Sequence, residues 1–270
     1  MTTTVTILGS GTCVPSLKRS SASILVRCGS ARILVDVGDG TLHRLVAAGE
    51  TVFSITHLLL THFHPDHCGA LPAFLFANKY PALQRQEPLT LIGGTGLQRF
   101  CDALASAWGL WLQLPEDLFS LVELPAGASE RPEEQGFTLR ACPVIHNPES
   151  RAYRITGADG ASIVYSGDTD TCNLLVDLAR GADVFICEAS LPDEQKVPGH
   201  LTPSLAGRLA AQAAVGHLVL THLYPECDAV DIAAQCRRTW SGPLSVARDL
   251  MQIGVKPGGG IVSEEPVQSS

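Results

Sequence analysis

Between Thr61 and Gly69 the chain reads Thr-His-Phe-His-Pro-Asp-His-Cys-Gly, so His62, His64, Asp66 and His67 fall within six consecutive residues. Imidazole nitrogen and carboxylate oxygen suit zinc, and also iron or manganese, and two of these ligands can serve one ion while the other two serve a neighbour. Three more residues of the same types follow predicted strands farther along: His146, Asp168 and His222. Each is weak evidence alone, and together with the cluster they describe a metal centre.

The stretch before the cluster, Ile55 to Leu60, is apolar and too short for a helix, which predicts a buried strand with the cluster at its end. An extended backbone places His62, His64 and Asp66 on one side, and His67 follows as the chain turns into a helical Leu/Ala/Phe stretch. Cys68 beside His67 is expected to pack as a small core residue.

Further strands are predicted at 4–8, 23–27, 31–37, 54–60, 89–92, 137–145, 152–156, 161–166, 183–187 and 217–221. Helices are expected at 40–48, 68–78, 97–107, 174–179, 202–214 and 229–239. Early hairpins give way to strand–helix alternation, which predicts sheets packed together with helices outside. A repeat supports two similar halves: His57-Leu-Leu-Leu-Thr-His-Phe-His-Pro65 returns as His217-Leu-Val-Leu-Thr-His-Leu-Tyr-Pro225. It also separates the histidines, since His57 and His217 precede their strands and belong at the end away from the metals.

The chain has 270 residues, 45% hydrophobic and 17% charged, which permits one large core and a single domain over 1–262. Residues 263–270 read as a loose tail. A net charge of −8 gives no general attraction for phosphate backbones or anionic membranes. No stretch approaches the 18 or more apolar residues of a membrane helix and the start lacks a signal-like segment, so a cytoplasmic protein is expected. Nine cysteines without a CxxC pair indicate neither a disulfide framework nor a structural zinc module. Trp108 and Trp111, three apart, fit a core stripe, with a pocket or a dimer contact as alternatives. The Gly93-Gly-Thr-Gly96 turn lacks a Walker lysine and is read as structural.

With the HxHxDH loop followed by a histidine, an aspartate and a histidine, the chain resembles the metallo-β-lactamase fold superfamily over nearly its whole length. The resemblance implies an α/β fold, a four-layer αβ/βα sandwich of two mixed β-sheets flanked by helices, with a binuclear site at its edge. It implies two divalent ions, zinc first and manganese or iron as alternatives. His62, His64 and His146 would hold one, Asp66, His67 and His222 the other, and Asp168 both. Within the superfamily the chain is most similar to the ribonuclease Z group, through Leu8-Gly-Ser-Gly-Thr-Cys-Val-Pro15, Asp36-Val-Gly-Asp-Gly-Thr41, Cys187-Glu-Ala-Ser190 and Gly199-His-Leu-Thr202. That likeness implies that His200, positioned by Glu188, protonates the leaving oxygen. Thr202 as helix N-cap and Pro203 at the first helical position would hold His200 in place.

Departures from the group redirect the substrate. The 21 residues between His146 and Asp168 are mostly consumed by two strands and leave no room for a long RNA-binding arm. The expected activity is therefore hydrolysis of a small phosphodiester or related ester by a metal-bridging hydroxide, with Asp66 taking the proton of the water. The alternatives are a transfer-RNA 3′-processing endoribonuclease, an arylsulfatase-like hydrolase, and a di-iron or non-catalytic metal-binding protein. The expected partner is the small ester; nucleic acid is not favoured, no membrane is implied, and a homodimer is open. Specificity is expected from loops at 81–86, 110–123 and 127–136.

Overall fold

In the computed structural model, which describes residues 2–258 and 260–266, the elements run in chain order. They are β1 (Thr4–Gly9), β2 (Ser23–Cys28), β3 (Ala31–Val35), α1 (Thr41–Ala47), β4 (His57–Leu59), α2 (Pro65–Cys68), α3 (Leu71–Ala77), β5 (Leu89–Gly93), α4 (Leu97–Trp108), β6 (Phe119–Glu123) and β7 (Ser129–Glu134). There follow β8 (Phe137–Pro143), β9 (Arg151–Gly157), β10 (Ser162–Tyr165), α5 (Asn173–Ala179), β11 (Val184–Glu188), α6 (Pro203–Ala213), β12 (His217–Thr221), α7 (Ile232–Cys236), β13 (Leu244–Val246), β14 (Met251–Lys256) and β15 (Gly260–Pro266).

Eight strands form one sheet in the order β15-β14-β1-β2-β3-β4-β5-β6, and seven form the other as β13-β12-β11-β10-β9-β8-β7. Both are mixed in the same way. The strands β3 to β6 pair parallel, as do β10 to β13, while the rest pair antiparallel.

Strands in such a sandwich are buried on both faces, so their sequences read as continuous apolar runs. Side-chain alternation then sorts residues between layers. Ile33 and Val35 face the other sheet and meet Tyr153, Ile163 and Ile186 in the central core, whereas Leu34 points out to a layer with Leu45, Leu71, Phe74 and Leu97 from the helices. Across the second sheet Val164, Phe185 and Leu218 pack under Leu175, Ala206 and Leu209. The result is the expected four-layer sandwich.

Several boundaries differ from expectation. The stretch 68–78 is not one helix: α2 ends at Cys68 and α3 starts at Leu71. Residues 119–123 and 129–134, expected in loops, are strands at one edge of each sheet. Residues 263–266, expected in a loose tail, pair with β14 through Gly254↔Ser263 and Met251↔Pro266; residues 267–270 lie outside the described residues. Trp108 and Trp111 are not core: they are 48% and 62% exposed and line a cavity of about 450 Å³ with Pro72, Ala73 and Phe76.

Candidate metal centre

The site lies at one edge of the sandwich, where the carboxyl ends of β4, β10, β11 and β12 open toward each other, as expected of ligand sites in open α/β sheets. His62 follows β4, His146 follows β8, Asp168 follows β10 and His222 follows β12. The chain turns earlier than expected: His64 caps α2, Pro65 takes its first position, and Asp66 and His67 sit on its first turn. Gly38 lets the neighbouring loop approach, since a Cβ there would lie 1.8 Å from the Asp66 carbonyl oxygen. Two hydrogen bonds fix that approach, Val37 N–H to His67 O at 2.7 Å and Ala70 N–H to Val37 O at 2.9 Å. Asp36 and His222 both take left-handed φ values, 61° and 57°, rare for non-glycine residues and frequent at functional sites.

The expected residues converge in two groups. His62, His64, His146 and Asp168 form one, and Asp66, His67 and His222 the other, each with candidate ligand atoms within 4.8 Å of one another; His200 meets the same limit with Asp168 and His222. Asp168 lies between them: its Oδ2 is 3.7 Å from His62 Nε2 and 3.9 Å from His146 Nε2, while its Oδ1 is 3.3 Å from His67 Nε2 and 3.2 Å from His222 Nε2. Neither His57 nor His217 joins either group. His57 contacts Thr56 and the Phe137 ring, and His217 contacts Ser245.

Hydrogen bonds on the far side of each ring decide what the near side offers. His146 Nδ1 lies 3.0 Å from Gly199 O, a pure acceptor, so Nδ1 carries the proton and Nε2 is bare. His67 Nδ1 likewise donates to the buried Asp36 carboxylate at 2.8 Å. Thr61 Oγ1 donates to Asp36 Oδ2 at 2.8 Å and so accepts from His62 Nδ1 at 3.1 Å. In each case the second nitrogen points bare into the centre.

The fit to cations follows from these lone pairs. His67 Nε2 and His222 Nε2 face each other at 3.3 Å, whereas His64 Nδ1, with its Nε2 accepting from Asn147 Nδ2, donates to the bare His146 Nε2 at 3.3 Å. Ligands 2.0–2.1 Å from a tetrahedral zinc lie about 3.3–3.4 Å apart. His62 Nε2 and Asp168 Oδ1 are fully buried without a hydrogen-bond partner, which costs stability unless an ion engages them. A proton on His67 is the other way to separate the lone pairs: burial opposes it, but the Asp168 and Asp36 carboxylates outweigh burial and hold the His67 pKa well above the ordinary histidine value. His62 is pushed well below that value by burial and by its neighbour His67.

The proposed proton donor stands at the same mouth. His200 Nδ1 is 3.1 Å from Glu188 Oε1 and 3.9 Å from Asp168 Oδ2. Burial disfavours the charged ring, but the Glu188 bond and charge more than offset this, so the His200 pKa is raised. Asp170 fastens the loop that carries it, accepting from Lys196 Nζ at 2.8 Å and Gly199 N–H at 3.1 Å. Thr202 is the N-cap of α6 without making a side-chain cap bond; the Asp193 carboxylate instead receives the Ser204 N–H at 3.0 Å.

Four contributors were not singled out from sequence. Asp36 and Thr61 hold His67 and His62, Ser190 Oγ lies 2.9 Å from His222 Nδ1, and Asn147 Nδ2 lies 3.1 Å from His64 Nε2. Asp36 lies in a quoted motif and Ser190 in another, so their positions carried a signal and their roles did not. Cys68 packs as expected, its thiol on His64 O at 3.2 Å. The Gly93–Gly96 turn holds no phosphate-like vacancy: the N-terminus of α4 receives the Glu123 carboxylate at Gln98 N–H, 3.2 Å.

Comparison with known proteins agrees with the geometry. Residues 31–223 match the family model of the beta-lactamase superfamily domain. A ribonuclease Z from Mycobacterium sp. (strain KMS) is 32% identical, the alignment covering 94% of this chain and 96% of that protein. The uncharacterized protein Rv1339 of Mycobacterium tuberculosis is 34% identical over 89% of this chain and 88% of its own. The metallo-beta-lactamase fold protein YhfI from Bacillus subtilis superposes with a TM-score of 0.79 at 21% identity, covering 93% and 99% of the two chains, which shows the fold. The chain belongs to the beta-lactamase superfamily and is ribonuclease Z-like within it.

Proposed function

We propose that the protein is a binuclear metal-dependent hydrolase acting on a small phosphodiester or related ester. The observation that carries this reading is His200: a histidine fastened to Glu188 at 3.1 Å stands beside the converging ligand atoms of seven other residues. Asp168 would touch both ions, with His62, His64 and His146 on one side and Asp66, His67 and His222 on the other. Bound there, two divalent ions supply an activated water at neutral pH and neutralise charge on the phosphoryl oxygens. Zinc suits the donor set, and manganese or iron are the alternatives.

The chain's own residues do the proton work. Asp66, its Oδ2 3.7 Å from His222 Nε2, receives the proton of the attacking water. His200, whose protonated form Glu188 favours, delivers a proton from Nε2 to the departing oxygen, help worth about 10²–10⁴-fold. Glu188 is itself fixed by N–H groups of Thr169 at 2.7 Å and Leu201 at 3.1 Å, so the imidazole does not reorient.

A second reading, transfer-RNA 3′ processing, draws support from the named ribonuclease Z, which this chain matches over nearly the whole length of both. A screen of the metal-reconstituted protein against phosphodiesters, cyclic nucleotides, aryl sulfates and precursor transfer RNA separates the two. Turnover confined to the small diesters supports the first reading; efficient cleavage of precursor transfer RNA with weak diesterase activity supports the second.

A further inference from the structure

The hydroxyl of Ser190 is fully buried among three groups that can share its one proton. Glu188 Oε2 lies 2.5 Å away, His222 Nδ1 2.9 Å and His200 Nδ1 3.2 Å. Glu188 already receives N–H groups from Thr169 and Leu201, which only donate, so it is an acceptor here. The Ser190 proton therefore goes to Glu188, and His222 donates its Nδ1 proton to the Ser190 oxygen, while the His200 Nδ1 proton is shared between Glu188 Oε1 at 3.1 Å and the Ser190 oxygen at 3.2 Å. That assignment leaves His222 Nε2 bare toward Asp168 and His67. The hub does not drift, because the Ser190 carbonyl is held by Tyr224 N–H at 3.0 Å from the loop after β12.

We infer that Ser190 is a positioning residue that sets the tautomer of His222 on the metal side and, together with Glu188, orients His200 on the proton-donor side. The first half of the site uses the same wiring, Asp36 to Thr61 to His62, but there the hydroxyl serves ligand-side rings only. At Ser190 one hydroxyl joins ion binding to leaving-group protonation. The inference rests on the binuclear hydrolase reading.

The test compares wild type with Ser190→Ala and Ser190→Thr. Zinc alone is the probe for binding, its dissociation constant measured by competition with a chromophoric chelator. Loss of an outer partner of a ligating histidine costs about 10–100-fold in affinity. Ser190→Ala should show that loss and Ser190→Thr should stay within about 3-fold of wild type. At saturating zinc, a series of methyl aryl phosphodiesters reads the donor: Ser190→Ala should lose poor leaving groups about 10²-fold more than p-nitrophenolate. A merely structural role would lower all esters alike. Unchanged zinc affinity and an unchanged leaving-group slope in Ser190→Ala overturn the inference, as does failure of Ser190→Thr to restore either. Should Ser190→Ala not fold, two-bond ¹H–¹⁵N spectra of the wild-type histidines decide: a proton on His222 Nδ1 supports it and a bare Nδ1 overturns it. A wild type that binds zinc in the expected tautomers but cleaves no ester condemns the hydrolase reading, and leaves the Ser190 wiring standing on the binding and tautomer data.

Discussion

His67 Nε2 and His222 Nε2 face each other at 3.3 Å, although their residues are 155 apart in sequence and belong to different sheets' loops. Both rings have their outer nitrogens engaged, by Asp36 and Ser190, so neither is free to turn away. Two lone pairs at that distance repel unless a proton or a metal ion sits between them. The fold therefore stores an electrostatic demand that metal binding would meet.

Metal binding should accordingly stabilise the protein. Free zinc at about 1,000 times its dissociation constant would add about 4 kcal/mol. Differential scanning calorimetry with and without chelator should show a clear fall in Tm on stripping and recovery on adding zinc; an indifferent Tm contradicts a metal centre.

Asp168 approaches both ligand groups, within 3.2–3.9 Å of five histidines, His200 among them. Asp168→Ala should reduce bound metal from two ions per chain to one or none while leaving the fold intact. Elemental analysis that still finds two ions would refute the shared role.

His200→Ala should lower turnover about 10²–10⁴-fold with metal content unchanged. An equal loss of metal would make His200 a ligand instead, a role its 3.9 Å approach to Asp168 makes worth measuring. Glu188→Gln should fall in the same direction by a smaller factor, because the amide still occupies the place of the carboxylate but no longer supports the charged ring.

Away from the centre, Asp159 ties the two sheets together at their edge, accepting from Thr3 N–H and Thr3 Oγ1 at 2.8 Å each. Partial burial acts to raise its pKa, but these bonds outweigh it and the pKa is lowered. A depressed carboxylate contributes stability above its unfolded pKa, about 3.9, and loses it as pH falls through the folded value. Asp159→Ala should thus cost about 1 kcal/mol at pH 7, discounted for exposure, and the gap to wild type should close in acid below about pH 4. A gap that persists undiminished at pH 2–3 would mean the loss is packing rather than charge.

The candidate ligands were legible because each sits at a strand end in a local pattern, and strand ends on one side of a sandwich share an edge. Their holders were not. Nothing local distinguishes Asn147 from any small polar loop residue, and the motif that holds Ser190 does not name its partner, since His64 and His222 come from other loops. β14 could have been read: Met251, Ile253 and Val255 are buried in period two. β7 could not, because Ser-Glu-Arg-Pro-Glu-Glu carries no apolar face and forms only through its pairing with β8. The two tryptophans misled for a simple reason, as helical spacing alone does not say which way a short helix end faces.

The most direct measurement titrates the metal-stripped protein with zinc while following hydrolysis of bis-p-nitrophenyl phosphate. Activity should rise and saturate at two equivalents per chain. Saturation at one equivalent, or no hydrolysis with two ions bound, would contradict a binuclear phosphodiester hydrolase.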